Sequence, residues 1–296
     1  MDPFTQYRSR GLMVSELAQQ LWCEKRVELE LLHGKEETGD MKVGRERHEE
    51  LFKEITPILM VKPETWIDEI FVRCYQMWSL SRRVLNEGIA REIPVYGRIG
   101  TMMVKGVIDE LLIENGELLV TETKVRASGS VPDYFAYVRV VEFQLSMYRL
   151  LLDHIIEERF TYVDMMKCYK IKKDMTISET LYRSFPEKSL FTTSLKVMVV
   201  TAFEAVRNLP QPSDTMVVRY ENQDKEVIGE REFVFDRKAL HRNMGFVMGF
   251  WEGKREAVPV TKNMWKCEYC PEVLRHECGV YCREEVSHFT ENDNEK

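Results

Sequence analysis

The alternation of apolar and polar positions predicts three adjacent antiparallel strands in the first half of the chain. Residues 90–99, 104–113 and 117–125 are rich in strand-forming side chains, and Asn115-Gly116 separates the last two segments. An Asn-Gly pair between two such segments is typical of a hairpin closed by a two-residue type I′ turn. If Glu114 faces Glu117, paired residue numbers sum to a constant, and Asp109 lies directly opposite Glu122.

Apolar residues spaced three and four apart predict amphipathic helices. In the helix predicted at 43–55, His48 shares a face with Leu51 and Ile55. In the helix predicted at 133–156, Gln144 and Tyr148 stand four apart and project from one face. The same patterns predict further helices at 14–34, 63–88, 192–209 and 237–252, a strand at 160–171, and a second, peripheral hairpin from 217–220 and 232–235.

Composition and charge narrow the class of protein. The chain has 296 residues, 44% of them hydrophobic and 31% charged, which is ordinary for a soluble protein with a sizeable core. No apolar segment reaches membrane-spanning length, and the N-terminal region lacks the pattern of a secretory signal. The net charge of −7 argues against nonspecific coating of nucleic acid. We therefore expect an intracellular protein, cytoplasmic or, in a eukaryote, nuclear, with no membrane partner.

One local stretch departs from the acidic character of the chain. Lys124, Arg126, Arg139 and Arg149 make the region from 124 to 149 locally basic. A basic groove within an acidic molecule can hold a phosphate backbone. Each arginine taken singly is equally well interpreted as part of a solvated helix face.

The predicted hairpin gathers charged groups at one place. Asp109 and Glu122 would share a face, and Lys124, two residues further along the strand, points the same way. Like charges opposite each other destabilise a strand pair, so this arrangement favours a bound cation. The sequence therefore predicts a metal-dependent active site. His48 taken alone is better interpreted as a core histidine.

The cysteines indicate a second site. Cys267-x₂-Cys270 is followed by Cys278 and Cys282, and Cys23 lies near the other end of the chain. Four thiolates suit structural zinc or an iron–sulfur cluster, and spacing alone does not choose between them. Either the four C-terminal cysteines form a small zinc module, or Cys23 joins and a metal centre ties the first helix to the C-terminal region.

Taken together, these motifs resemble the RecB-like branch of the PD-(D/E)XK nucleases and, most closely, its iron–sulfur members in the exonuclease V family. The matching segments are Gly44-x-x-x-His48, Gly106-Val-Ile-Asp109, Glu122-Thr-Lys124, Gln144-Leu-Ser-Met-Tyr148, and Cys23 with Cys267-x₂-Cys270 and Cys278. Seven residues separate Cys270 from Cys278 where the family usually has five, so Cys282 remains the alternative fourth ligand.

The resemblance implies an α/β fold with a PD-(D/E)XK restriction-endonuclease-like core, in which helices flank a central mixed sheet. A clasp of Cys23, Cys267, Cys270 and Cys278 around a [4Fe–4S] cluster would close the two ends. We expect a single nuclease domain over 1–296, with cluster-binding ends at 14–34 and 265–282, a core with insertions at 40–236, and a mobile acidic tail at 284–296.

The resemblance also implies a function: a Mg²⁺- or Mn²⁺-dependent exonuclease that hydrolyses single-stranded DNA from the 5′ end in DNA repair or maintenance. His48, Asp109 and Glu122, with the Thr123 carbonyl, would hold the metal, and the resemblance reverses the interpretation of His48. Lys124 would orient or help deprotonate the attacking water.

Gln144 and Tyr148 would hydrogen-bond the substrate or brace Lys124, and Arg126 would bind a substrate phosphate through its planar guanidinium. We expect a monomer whose partners are single-stranded DNA and, as candidates, a single-strand-binding protein or a helicase. Three other readings remain open on the sequence: a CRISPR-adaptation nuclease, a catalytically silent DNA-binding adaptor on the same fold, and a structural zinc protein.

Overall fold

A mixed β-sheet with helices on its flanks forms the framework of the protein. The computed structural model describes residues 1–8, 10–55, 63–185 and 190–279, so the predicted tail and Cys282 lie outside the described residues. The strands are β1 (Leu12–Met13), β2 (Ile89–Ile99), β3 (Met102–Glu114), β4 (Glu117–Arg126), β5 (Pro212–Asn222) and β6 (Val227–Val234).

The hairpin between β3 and β4 has the predicted register. Asn115 has a φ of 52° and Gly116 a φ of 83°, both positive as a type I′ turn requires. Glu114 faces Glu117, and the pairing continues in the same register to Glu110 and Thr121. The Asn-Gly turn therefore sets this part of the sheet.

The rest of the sheet is only partly as predicted. β2, β3 and β4 are antiparallel neighbours, which confirms the three-stranded start. The second hairpin, formed by β5 and β6, is not peripheral, because β5 runs parallel to β4 and extends the same sheet. Met216 and Val218 are fully buried and Val217 nearly so, and such a continuous buried segment is characteristic of a strand covered on both faces.

The predicted helices form, with shifted ends, and one predicted strand is instead helical. Residues 160–171 contain a short helix because Asp164 Oδ2 accepts hydrogen bonds from the Thr161 amide and hydroxyl, both at 2.9 Å, in a capping box. The helices are α1 (Pro3–Tyr7), α2 (Val14–His33), α3 (Gly39–Ile55), α4 (Trp66–Glu87), α5 (Phe135–Ile156), α6 (Tyr162–Cys168), α7 (Glu179–Ser184), α8 (Leu195–Arg207), α9 (Arg237–Trp251) and α10 (Glu272–Cys278), with a 3₁₀ helix at Met264–Tyr269.

The helix α5 is the element that joins the core to the candidate site. It packs against α2 and crosses β2, β4 and β5, and most of its second half is buried. Close packing needs Gly106 on β3, because a Cβ there would lie 2.6 Å from Tyr148 Cε1 on α5. In the described parts of the chain, none of the helices has the length and apolar character needed to cross a membrane.

Candidate active site and cysteine cavity

The two predicted carboxylates lie where β3 and β4 stop pairing. The ladder ends at Glu110 and Thr121, so Asp109 and Glu122 are the next residues in register but lie beyond its last pair. The Thr123 amide donates a hydrogen bond to Asp109 Oδ2 at 2.9 Å. The end of the ladder therefore leaves both carboxylates as side-chain acceptors at the same point of the sheet.

A third carboxylate, which the sequence reasoning missed, completes a candidate metal site. Ligand atoms of His48, Glu92 and Asp109 all lie within 4.8 Å of one another, the only such set found in the described residues. His48 Nδ1 is 3.4 Å from Glu92 Oε1 and 3.7 Å from Asp109 Oδ2. One imidazole nitrogen and two carboxylates at this spacing can hold a divalent cation.

Glu92 reaches the site through the register of β2. Arg91 pairs with Glu110 and Ile93 with Ile108, so Glu92 falls opposite Asp109. Its φ of 58° is unusual for a side chain other than glycine and marks a local distortion of the strand. One feature of the sequence could have indicated this position of Glu92: the tight turn at Gly100. It fixes the register of β2 against β3, as Asn115-Gly116 fixes the register of β3 against β4.

Glu122 belongs to a separate chain of hydrogen bonds. Glu122 Oε1 accepts from the Lys124 ammonium and, at 2.8 Å, from Gln144 Nε2. Gln144 Nε2 also lies 3.1 Å from the Tyr148 hydroxyl, and Lys124 Nζ lies 3.3 Å from Gln144 Oε1. The expected shared face of Gln144 and Tyr148 is confirmed, and α5 delivers both side chains to β4.

Burial and neighbouring charges both shift the pKa values of the groups at this site. Burial raises the pKa of Asp109 well above its ordinary value, and the neighbouring Glu122 carboxylate raises it further. Burial lowers the pKa of His48, but Glu92 and Asp109 outweigh it and bring it to about 9. Burial also lowers the pKa of Lys124, yet Glu122 and Asp109 raise it overall. In this arrangement Lys124 carries positive charge that offsets the carboxylates, and His48 would have to release its proton to bind a cation.

The helix that carries His48 is fastened to the sheet by buried polar contacts. Arg47 Nε donates to Glu221 Oε2 on β5 at 2.7 Å, and both side chains are largely buried. Arg91 on β2 donates to the Leu51 carbonyl at 3.0 Å. These contacts hold α3 against β2 and β5 and so fix the position of His48.

The predicted basic residues do not form one surface. Arg149 is buried, pairs with Asp153 and donates to the Ser213 carbonyl at 2.8 Å, so it stabilises the fold and is unavailable to a phosphate. Arg126 lies at the end of β4, with its guanidinium carbon 5.4 Å from the centre of the Tyr137 ring. Arg126, two residues after Lys124 on β4, remains partly exposed.

The four cysteines assigned to the cluster line a single cavity. Cys23, Cys267, Cys270 and Cys278 all contribute to its wall. α2 is kinked at Cys23, whose φ of −159° and ψ of 110° are not helical. Residues 272–278 form α10, and this helix accommodates the unusually long spacing before Cys278. The cavity thus joins both ends of the described chain.

The thiols are surrounded by cations. Arg26, Lys266 and Arg275 also line the cavity. Burial raises the pKa of Cys270 to about 11, although Arg26 lowers it. Arg26 also donates to the Tyr269 carbonyl at 3.2 Å, which links α2 to the 3₁₀ helix. Positive side chains around these half-buried thiols suit a centre that carries negative charge.

Known proteins are similar to this sequence over nearly its whole length. The family model described as "Exonuclease V, a 5′ deoxyribonuclease" matches residues 1–118, 114–195 and 187–279. An exonuclease V of Danio rerio is 26% identical over 278 residues, which cover 91% of this chain and 70% of that relative. A crystal structure titled as an exonuclease candidate from Eubacterium rectale covers 92% of this chain and 89% of its own, with 13% identity and a TM-score of 0.43.

The motifs from which the resemblance was drawn are thus parts of a match that extends well beyond them. The matched segments begin before α1 and end after α10, and so include both the carboxylate site and the four cysteines of the cavity. The chain belongs to the exonuclease V family.

Proposed function

We propose that this protein is a metal-dependent exonuclease that hydrolyses phosphodiester bonds in single-stranded DNA. The observation that carries the proposal is the convergence of His48, Glu92 and Asp109 within 4.8 Å beside the Glu122–Lys124 pair. Family membership supports a deoxyribonuclease, and the family description supports action from the 5′ end. A role in DNA repair or maintenance is consistent with such an activity.

The donor set fits Mg²⁺ or Mn²⁺. Hard cations prefer oxygen ligands, and two or three carboxylates with one imidazole are within the range that Mn²⁺ and Mg²⁺ accept. Glu122 is only 2% exposed, and its Oε2 has no hydrogen-bond partner in the described part of the chain. A buried carboxylate oxygen without a partner is costly unless a cation occupies the position next to it. His48, Asp109 and Glu122 would hold the cation, together with the Thr123 carbonyl and with Glu92 as an additional ligand.

The bound cation would offset phosphate charge and lower the pKa of a coordinated water. Lys124, held as an ammonium by Glu122 and Asp109, would orient the attacking water and neutralise charge on the phosphate. Gln144 would keep Lys124 and Glu122 in place through its two hydrogen bonds. Tyr148, whose pKa burial raises well above its ordinary value, would remain a hydrogen-bond donor.

The experiment that tests this function uses single-stranded DNA with a free or blocked 5′ end in the presence of Mg²⁺, Mn²⁺ or EDTA. We expect shortening from the free 5′ end only with metal. Lys124→Gln should reduce kcat at least a hundredfold, because one ammonium in the site is lost. The matched control is Lys196→Gln on the exposed surface of α8. Intact DNA with the wild-type protein would refute the nuclease and favour a silent DNA-binding adaptor.

We further propose that the cysteine cavity holds a [4Fe–4S] cluster and not one zinc ion. Sulfur ligands of a tetrahedral zinc lie roughly 3.8 Å apart, given Zn–S bonds of about 2.3 Å. No three of Cys23, Cys267, Cys270 and Cys278 meet a limit of 4.8 Å within the described residues. A larger cluster suits this wider spacing, and Arg26 would offset its negative charge.

The cluster would act as a structural clasp, because its binding energy would tie α2 to the C-terminal segment. Anaerobically prepared protein should be brown and contain about four irons per chain, as expected for a [4Fe–4S] cluster. Cys23→Ser should lose the colour and lower the melting temperature. Cys168→Ser is the control, since Cys168 is exposed and lies away from the cavity. Colourless, zinc-loaded and fully folded protein would refute the cluster.

A further inference from the structure

A row of aromatic rings connects the cysteine cavity to the candidate active site. We call Trp22, Trp265, Tyr134 and Tyr137 the aromatic row. Trp22 and Trp265 meet edge to face at 5.5 Å, Tyr134 meets Trp265 at 5.5 Å, and Tyr134 lies 5.5 Å from Tyr137. Trp22 lines the cysteine cavity, and Trp265 directly precedes the cavity residue Lys266. The row therefore starts at the cysteines, and its other end, Tyr137, lies beneath Arg126.

A large apolar side chain next to the aromatic row, that of Phe135, is exposed to solvent. Phe135 follows Tyr134 directly at the start of α5 and is 77% exposed, and Tyr134 itself is partly exposed. A phenylalanine exposed to this degree contributes little to the stability of the core. Beside a candidate active site, such an exposed apolar side chain indicates a binding surface. Tyr134 is fixed by Trp265 on one side and Tyr137 on the other, so the backbone that carries Phe135 is held in place.

Two cations with neutral partners flank this aromatic surface. Arg126 contacts the Tyr137 ring, and Arg139 donates to Asn243 Oδ1 at 2.8 Å. These contacts do not neutralise the two charges, because a ring face and an amide carry no net charge. Arg126 and Arg139 therefore remain available to an anionic ligand.

We propose that Tyr134 and Phe135 form a stacking platform for bases of the DNA strand that enters the active site. This inference rests on the proposed function and adds residues that set the affinity for single strands. Exposed aromatic rings flanked by cations are the combination by which proteins hold single-stranded nucleic acid without reading its sequence. A protein partner would not need the flanking cations, and duplex DNA would keep its bases stacked and unavailable.

The spacing along α5 indicates which bases would stack. Phe135 precedes Gln144 by nine residues, so the platform lies about 14 Å from Gln144 along the helix axis. At about 3.4 Å per nucleotide, this distance corresponds to roughly four stacked nucleotides. We therefore expect a base within about four nucleotides of the cleaved bond to contact Phe135.

The test compares Phe135→Ala with the wild type on normal and abasic strands. Binding is measured by anisotropy of labelled single-stranded DNA in EDTA, and cleavage by kcat and KM in Mg²⁺. Loss of one stacked base should raise Kd and KM roughly 5- to 150-fold with little change in kcat. On a strand with an abasic site at the stacked position, the difference between the two proteins should disappear. Phe135→Tyr should behave as the wild type.

Controls separate the platform from folding and from the proposed function. Alanine is a good helix former, so Phe135→Ala should keep its melting temperature, and Tyr182→Ala removes an aromatic ring of 49% exposure on α7 without affecting binding. Unchanged affinity of Phe135→Ala, or a loss that persists at every abasic position, overturns the platform. Wild-type protein that binds single strands with this pattern but never cleaves them would overturn the nuclease and leave the platform supported.

Discussion

The buried ion pair between Arg47 and Glu221 should control catalysis without touching the substrate. Arg47 precedes His48 on α3, and its Nε donates to Glu221 Oε2 on β5 at 2.7 Å. The side chains of Arg47 and Glu221 are 13% and 6% exposed, so solvent screens this pair little. Glu221→Gln keeps the shape of the side chain and leaves the arginine without its full countercharge.

The expected cost follows from burial. Breaking a buried ion pair by removing one partner typically costs about 3–5 kcal/mol. Arg47 Nη1 lies 3.5 Å from Glu50 Oε2, and this partly exposed carboxylate can compensate in part, so we expect a cost of about 3 kcal/mol. Because this ion pair joins α3 directly to β5, its cost should appear first as local release of the helix. His48 would then spend less time beside Asp109.

The assay is kcat/KM on single-stranded DNA, together with the affinity for Mn²⁺. Residues that position a metal ligand typically contribute 10- to 100-fold to activity or metal affinity, and we expect a loss of that size for Glu221→Gln. Arg47→Met combined with Glu221→Leu should recover part of it, because neither charge is then left unpaired.

The matched control is Glu230→Gln on β6, which weakens an exposed ion pair with Arg219. The Glu230 side chain is 48% exposed, so a change of no more than about 1 kcal/mol is expected there. If Glu221→Gln retains kcat/KM and Mn²⁺ affinity within twofold of the wild type, Arg47 does not position His48.

Two further predictions concern stability. Burial, together with the charges of Arg159 and Arg237, lowers the pKa of His154 from 6.5 to about 4. The unfolded chain therefore takes up this proton first, so the free energy of unfolding should fall as pH drops from about 6.5 to 4, and His154→Gln should reduce that slope in urea titrations. Gly106→Ala should cost about 1–3 kcal/mol, because its Cβ would lie 2.6 Å from Tyr148 Cε1. An unchanged urea midpoint in Gly106→Ala would contradict the close packing of α5 on β3.

The sequence alone determined those features that depend on neighbours along the chain. Asn115 and Gly116 favour one turn type, and the two-residue period of a strand then carries the register towards Asp109 and Glu122. In the same way, helical geometry alone places Gln144 and Tyr148 on one face. In each case a short segment sets its own geometry, with no help from distant parts of the chain.

Tertiary structure decided which of these local units meet. Glu92 joins His48 and Asp109 only because β2 pairs with β3 and α3 is fastened across the sheet. The sequence patterns predicted that the hairpin containing β5 is peripheral. In the structure β5 pairs in parallel with β4, and this pairing places Glu221 where it anchors α3. Contacts between segments so far apart in sequence depend on which buried faces fit each other, and periodicity within one segment carries no information about its partner.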